Sequence, residues 1–186
     1  MRSEPTAGPC QADPEPEVPP FAEIFRTHAP YVLRLLARLG VPRADVPDAC
    51  QDVFLTVHRR ILDFDPARGP LRNWIYGICV RAAADRRRQK RTRNERSDES
   101  VPEASVPASQ HQELERRSAC ARLEQVLGEL DEGKRVVFVL YEFEALSMKA
   151  IATIVGCPVQ TAYSRLHAAR AAVFAAFGAP PQEGAE

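Results

Sequence analysis

Apolar residues in this chain recur at steps of three and four, and no stretch shows the strict alternation of a half-buried strand. A period near 3.6 gathers apolar side chains into a stripe along a helix. A chain patterned this way buries them by packing helix on helix. Phe21, Ile24, Phe25, Tyr31 or Val32, Leu35, Leu36 and Leu39 follow the rule up to Gly40, as one helix bent at Pro30 or as a pair of helices. A second stripe of Ala49, Val53, Val57 and Ile61 begins near Asp45 and Asp48, whose charges suit the positive end of a helix dipole. The residues from Phe64 to Pro70 are a turn by composition. A third helix follows with Leu71, Ile75, Ile78 and Ala82 inward, and it runs out into Asp85-Arg86-Arg87-Arg88-Gln89-Lys90-Arg91. The fold class expected is all-α.

The second half repeats the periodicity in a more specific form. Leu123, Val126, Leu127 and Leu130 make a short helix that stops around Asp131 to Gly133, and Val136, Val137, Val139, Leu140 and Phe143 make a buried one. In the stretch from Leu146 to Pro158, Ser147 is a fitting N-cap. Ala152 is small where two helices cross, Gly156 supplies a sharp turn, and Pro158 suits the start of the next helix. That helix buries Ala162, Leu166, Ala169 and Val173. Small residue, turn glycine and buried stripe agree in register, which is the pattern of a helix-turn-helix whose second helix reads DNA. A helical hairpin with a polar outer face is the plainer alternative.

Charge separates the halves. The total of 25 basic and 25 acidic residues is balanced. Residues 21–95, however, hold 15 basic and 8 acidic side chains, whereas residues 121–178 hold 6 of each. Residues 1–20 carry six prolines and a net charge of −3, and residues 96–120 carry −2 with Pro102, Pro107 and several serines. The expected organisation is therefore a disordered acidic Pro-rich extension at 1–20 and a basic helical domain at 21–95. A flexible linker at 96–120 leads to a second helical domain at 121–178 and a disordered tail at 179–186. Seven basic residues lie between Arg81 and Arg93 on the helix that also carries Trp74 and Tyr76. Basic and aromatic side chains on one helix suit a groove that tracks phosphates and holds unstacked bases.

Other chemistries find no support. Cys10, Cys50, Cys79, Cys120 and Cys157 are scattered and never spaced as CxxC, and the four histidines are dispersed, so neither a disulfide framework nor a metal site is expected. There is no phosphate-cradling glycine loop, nucleophile elbow or HExxH, so no cofactor and no enzymatic activity is implied. No apolar run approaches a membrane span and the first residues do not read as a secretory signal, which leads to the expectation of a cytoplasmic protein with no membrane insertion.

The segment DACQDVFLTVHRRILDFDPARGPLRNWIYGICVRAAADRRR, followed after the linker by LEQVLGELDEGKRVVFVLYEFEALSMKAIATIVGCPVQTAYSRLHAAR, resembles the extracytoplasmic-function sigma factors of bacterial RNA polymerase. These keep only regions 2 and 4 of the sigma-70 family. The resemblance implies a non-catalytic alternative sigma subunit. Asp48, Gln51, Asp52, Phe54 and Leu55 would dock on the beta-prime clamp helices of core polymerase. Phe64, Asp65, Arg68, Arg72, Trp74, Tyr76, Arg81, Arg86, Arg87 and Arg88 would capture and guide the −10 strand. Gln160, Thr161, Tyr163, Ser164, Arg165, His167 and Arg170 would read the −35 element. The first helices of the second half would meet the beta flap, and an anti-sigma factor is implied as a further partner. Read from the residues alone, a stand-alone helix-turn-helix regulator stays open as the alternative.

Overall fold

The computed structural model describes residues 19–94 and 111–178. The acidic extension up to residue 18, most of the linker and the tail from residue 179 lie outside the described residues. The described residues form seven α-helices and three short 3-10 turns, with no strand among them. The helices are α1 (Phe21–Arg38), α2 (Val46–Arg60), α3 (Leu71–Asn94), α4 (His111–Glu129), α5 (Glu132–Glu142), α6 (Met148–Val155) and α7 (Val159–Phe177). None of them is long and apolar enough to cross a membrane.

Between the two readings of the first stripe, the structure takes the single helix: α1 runs through Pro30, which faces solvent. A proline inside a helix costs about 3 kcal/mol. The opposite face of α1 offsets this by burying Ile24, Tyr31, Val32, Leu35 and Leu36, each worth roughly 1.5–3 kcal/mol. The expected linker is shorter than its composition suggested, because α4 reaches back to His111. The stretch from His111 to Cys120 is free of Gly and Pro and rich in Glu, Gln and Arg. Such residues support a helix without any apolar stripe to reveal it.

α1, α2 and α3 pack into one bundle and α4 to α7 into another, but the two do not stand apart. α3 packs on α6, and the buried side chains of both halves form one contiguous apolar cluster. Within it Leu35 and Leu36 of α1, Val53 and Val57 of α2, Ile75 of α3, Val137 and Leu140 of α5, Ile151 of α6 and Ala162 of α7 are shut off from solvent.

Arg135 of α5 is fully buried near the junction. Its guanidinium donates to the carbonyls of Leu127, Gly128 at 2.9 Å and Leu130 at 2.5 Å, the last acceptors of α4. Helix C-termini leave such carbonyls unmet, and here one side chain satisfies three of them. The same guanidinium lies against Gly40, where a β-carbon would stand 3.4 Å from Nη1 and where φ is +87°. Gly40 thus closes α1 in a left-handed conformation that leaves room for the buried cation.

Candidate nucleic-acid interface

The turn after α2 is built locally. Asp65 Oδ1 accepts from the Ala67 backbone N–H at 2.9 Å, and Gly69 adopts φ +135°, so the chain reverses and delivers Phe64 beside the start of α3. The Phe64 and Trp74 rings meet at 5.8 Å between centroids. They stand on the wall of a cleft of about 520 Å³ that Asp65, Arg68, Asn73, Gly77 and Arg81 also line. Lys149 adds further positive charge, whereas Arg60 is paired with Asp63 at 2.9 Å on the same lining. Aromatic faces flanked by guanidinium groups are what an unstacked base with its phosphate requires. Phe64, Asp65, Arg68, Trp74 and Arg81 are thus brought together on one cleft. Unexpected is the opposite wall, formed by Ser147, Lys149, Ala150, Thr153 and Ile154 from α6.

The remaining residues expected to touch the −10 strand divide. Tyr76 is wholly buried, not displayed. α3 is covered on two sides, by α1 and α2 and by α6, so its inward face widens to take in Ile75, Tyr76, Ile78, Cys79 and Ala83. Arg86 turns toward α2 and donates to Asp52 at 2.5 Å, while Arg88 pairs with Asp85 one turn before it. Arg87 is half-buried near Gly40. On α2, Asp48, Gln51, Asp52 and Leu55 are exposed as a docking face needs. Phe54 is not: it is 3 % exposed and packs edge-on to Phe25 at 4.7 Å.

In the helix-turn-helix, Ser147 Oγ accepts from the Ala150 N–H at 3.3 Å and caps α6. Gly156 takes the left-handed conformation at φ +70°, and Pro158 leads directly into α7. α7 buries Ala162, Leu166 and Ala169. Opposite them Gln160, Tyr163, Ser164 and His167 are exposed, at spacings that keep them on one side, with Thr161 half-buried beside them. Arg165 folds back over α5, where a β-carbon on Gly133 would stand 3.0 Å from its Cζ. Arg170 donates to Glu142 at 2.6 Å and lies over the Tyr141 ring. Arg170 is thus engaged within the protein in this arrangement, and Arg165 lies against Gly133 rather than on the open face.

The residue that sequence reasoning missed is Glu144, in the turn between α5 and α6. Its side chain is 5 % exposed, and its carboxylate accepts from Tyr76 Oη at 2.5 Å, Arg72 Nη2 at 3.0 Å and Arg38 Nη1 at 3.5 Å. Arg38 also stacks over the Phe143 ring at 4.4 Å, and Arg72 lies over the rings of Tyr31 and Tyr76. Burial, then the hydrogen bond to Glu144 and its charge, push the Tyr76 phenol far above its usual range, so it stays a donor. Burial does the same to Tyr31, whose hydroxyl has no hydrogen-bond partner. Ala145, next to Glu144, takes φ +52°, a conformation that costs a residue with a β-carbon roughly 1 kcal/mol or more. A lone acid in a turn carries no periodicity, so only the packed structure reveals its partners. A second ion pair, Arg43 to Glu124 at 2.9 Å, also spans the two halves.

Comparison with known proteins places these features. Residues 24–93 match Sigma-70 region 2, and residues 120–173 match Sigma-70, region 4. The chain is 28 % identical over 179 residues to the RNA polymerase sigma factor CnrH of Cupriavidus metallidurans, covering 88 % of this chain and 89 % of that protein. It is 32 % identical over 147 residues to the ECF RNA polymerase sigma-E factor of Escherichia coli, covering 72 % and 74 % respectively. The structure of CnrH in complex with the cytosolic domain of CnrY has a similar fold, with a TM-score of 0.64 at 27 % identity over 84 % of this chain and 86 % of that one. The sigma factor RpoE of Bartonella quintana, solved with the anti-sigma factor NepR, shares the fold at a TM-score of 0.69 and 18 % identity, over 84 % of this chain and 96 % of that one.

Proposed function

The chain belongs to the extracytoplasmic-function sigma factors of the sigma-70 family, and from that premise we propose how its surfaces divide the work. It is an alternative sigma factor that binds core RNA polymerase and directs promoter-specific initiation, contributing binding energy and no catalytic step. The exposed α2 residues Asp48, Gln51, Asp52 and Leu55 form the face for the beta-prime clamp helices, with Phe54 holding that helix in place from beneath. The cleft beside Phe64 and Trp74 takes an unpaired −10 base, and Arg68 and Arg81 hold its strand. Arg86 and Arg88, on leaving Asp52 and Asp85, continue the positive path along α3 with Arg87. Gln160, Tyr163, Ser164 and His167 face the −35 element with Thr161. Arg165 and Arg170 join them on leaving Gly133 and Glu142.

One observation carries this reading: an aromatic-walled cleft with a cationic rim, on the same chain as a helix-turn-helix whose reader face is open. Base capture with phosphate clamping needs the first and duplex reading the second. A stand-alone operator-binding regulator has no use for the first. As in the RpoE–NepR complex, an anti-sigma protein is a fitting partner. The chain works where polymerase works, in the cytoplasm. The test is binding to purified core polymerase, followed by run-off transcription from genomic fragments enriched by the resulting holoenzyme. Specific initiation that disappears with Trp74→Ala is the expected result. Duplex binding without core binding or initiation would overturn it.

A further inference from the structure

Arg38, Arg72 and Tyr76 converge on a single carboxylate that comes from the other half of the molecule. Two guanidinium groups and a phenol donating to one nearly buried oxyanion make a built anion site, and its occupant sits on a turn of only a few residues. Arg72 opens α3 next to Asn73 and Trp74, which line the cleft. Arg72 and Tyr76 thus stand on the face of α3 beside the one that Trp74 presents to the cleft, at the same end of the helix. Guanidinium forks bind phosphate by the same charge-assisted hydrogen bonds that bind a carboxylate.

We propose that Arg38, Arg72 and Tyr76 form a cradle for a backbone phosphate of the unpaired promoter strand, and that Glu144 occupies the cradle as an internal stand-in for that phosphate. This rests on the assignment of the cleft to single-stranded DNA and adds Arg38, on α1, to the nucleic-acid surface. It also explains the wall that α6 contributes to the cleft. While Glu144 is seated, the second half of the protein closes over the strand site, so strand and carboxylate compete for the same donors. The Tyr31 ring lies beneath the Arg72 guanidinium at 4.9 Å, and its hydroxyl is buried without a partner. Glu144 leaves that donor unmet.

The test uses the full chain and a labelled single-stranded oligonucleotide of mixed sequence, with binding followed by fluorescence anisotropy across a salt series. Glu144→Gln keeps the shape and removes the competing charge. It should tighten binding roughly fivefold, the scale of one partly buried charge pair. It should also steepen the dependence of log K on log salt by about 0.7, the increment for one further phosphate on a single strand. Adding Arg38→Ala to Glu144→Gln should remove both gains. If Glu144→Gln merely opened the molecule, Arg38→Ala would leave the gain intact, since Arg38 also ties the halves together through Phe143. That outcome, or binding by Glu144→Gln no tighter than by the parent, overturns the cradle. Thermal unfolding of each variant confirms that it is folded. Run-off transcription by the parent holoenzyme separates the two levels. An active holoenzyme with an unresponsive Glu144→Gln rejects the cradle alone, whereas an inactive one rejects the sigma assignment on which its ligand rests.

Discussion

His28 lies edge-on to Tyr31 at 5.2 Å, where burial and then the nearby Arg72 charge lower its pKa below 6.5. A group with a depressed folded pKa binds fewer protons in the native state than in the unfolded chain. Its stabilising effect is complete above pH 6.5 and is lost as pH falls through the lower folded value. Denaturant unfolding measured from about pH 7.5 down to about pH 5 should therefore show stability falling below pH 6.5, and His28→Gln should flatten that slope. An unchanged slope would mean that the imidazole stays solvated. At this scale the sequence was readable where a side chain's role follows from type and periodicity, as at Ser147, Gly156 and Ala162. It did not show that Tyr76 and Phe54 are buried, because each sits among apolar neighbours (Ile75 and Gly77, Val53 and Leu55), and such a run reads the same whether its helix is covered on one side or on two.

Arg135 and the turn around Gly156 decide how the helices of the second half end and begin. Replacing Arg135 by Met leaves the carbonyls of Leu127 and Leu130 buried without donors, while that of exposed Gly128 can turn to water. The expected loss is about 3 kcal/mol, since each unmet buried group costs roughly 1–3 kcal/mol; urea unfolding monitored by circular dichroism would measure it. Gly156→Ala should cost only about 1 kcal/mol, because no atom lies within 4 Å of the added carbon and the penalty is that of φ +70° alone. A much larger loss there would mean that the tight turn does not tolerate any side chain. Most helices were legible from their apolar stripes. The first part of α4 was not, since residues 111–120 have helix-forming composition without a stripe, and Pro30 left α1 undecided between one helix and two.

For the molecule as a whole, the contact between α3 and α6 and the ion pairs of Glu144 and Arg43 hold the two halves together. Partly exposed charge pairs contribute up to about 1 kcal/mol each and weaken as salt shortens the screening length. The double variant Glu144→Gln, Arg43→Ala should therefore have a larger radius of gyration than the parent in small-angle scattering, and raising salt should move the parent in the same direction. Equal dimensions for both would assign the closed arrangement to apolar packing alone. Spacing along one chain was enough to determine an all-α protein with a helix-turn-helix, a helix carrying aromatic and arginine side chains, and two unequally charged halves, because helical stripes and caps are set by neighbours three or four residues apart. That Glu144 reaches Arg38, Arg72 and Tyr76, that α6 walls the cleft, and that Arg135 fills the space beside Gly40 was decided only by tertiary structure. Those partners lie far apart in sequence, and each donor is chosen by where two packed surfaces happen to bury an acceptor.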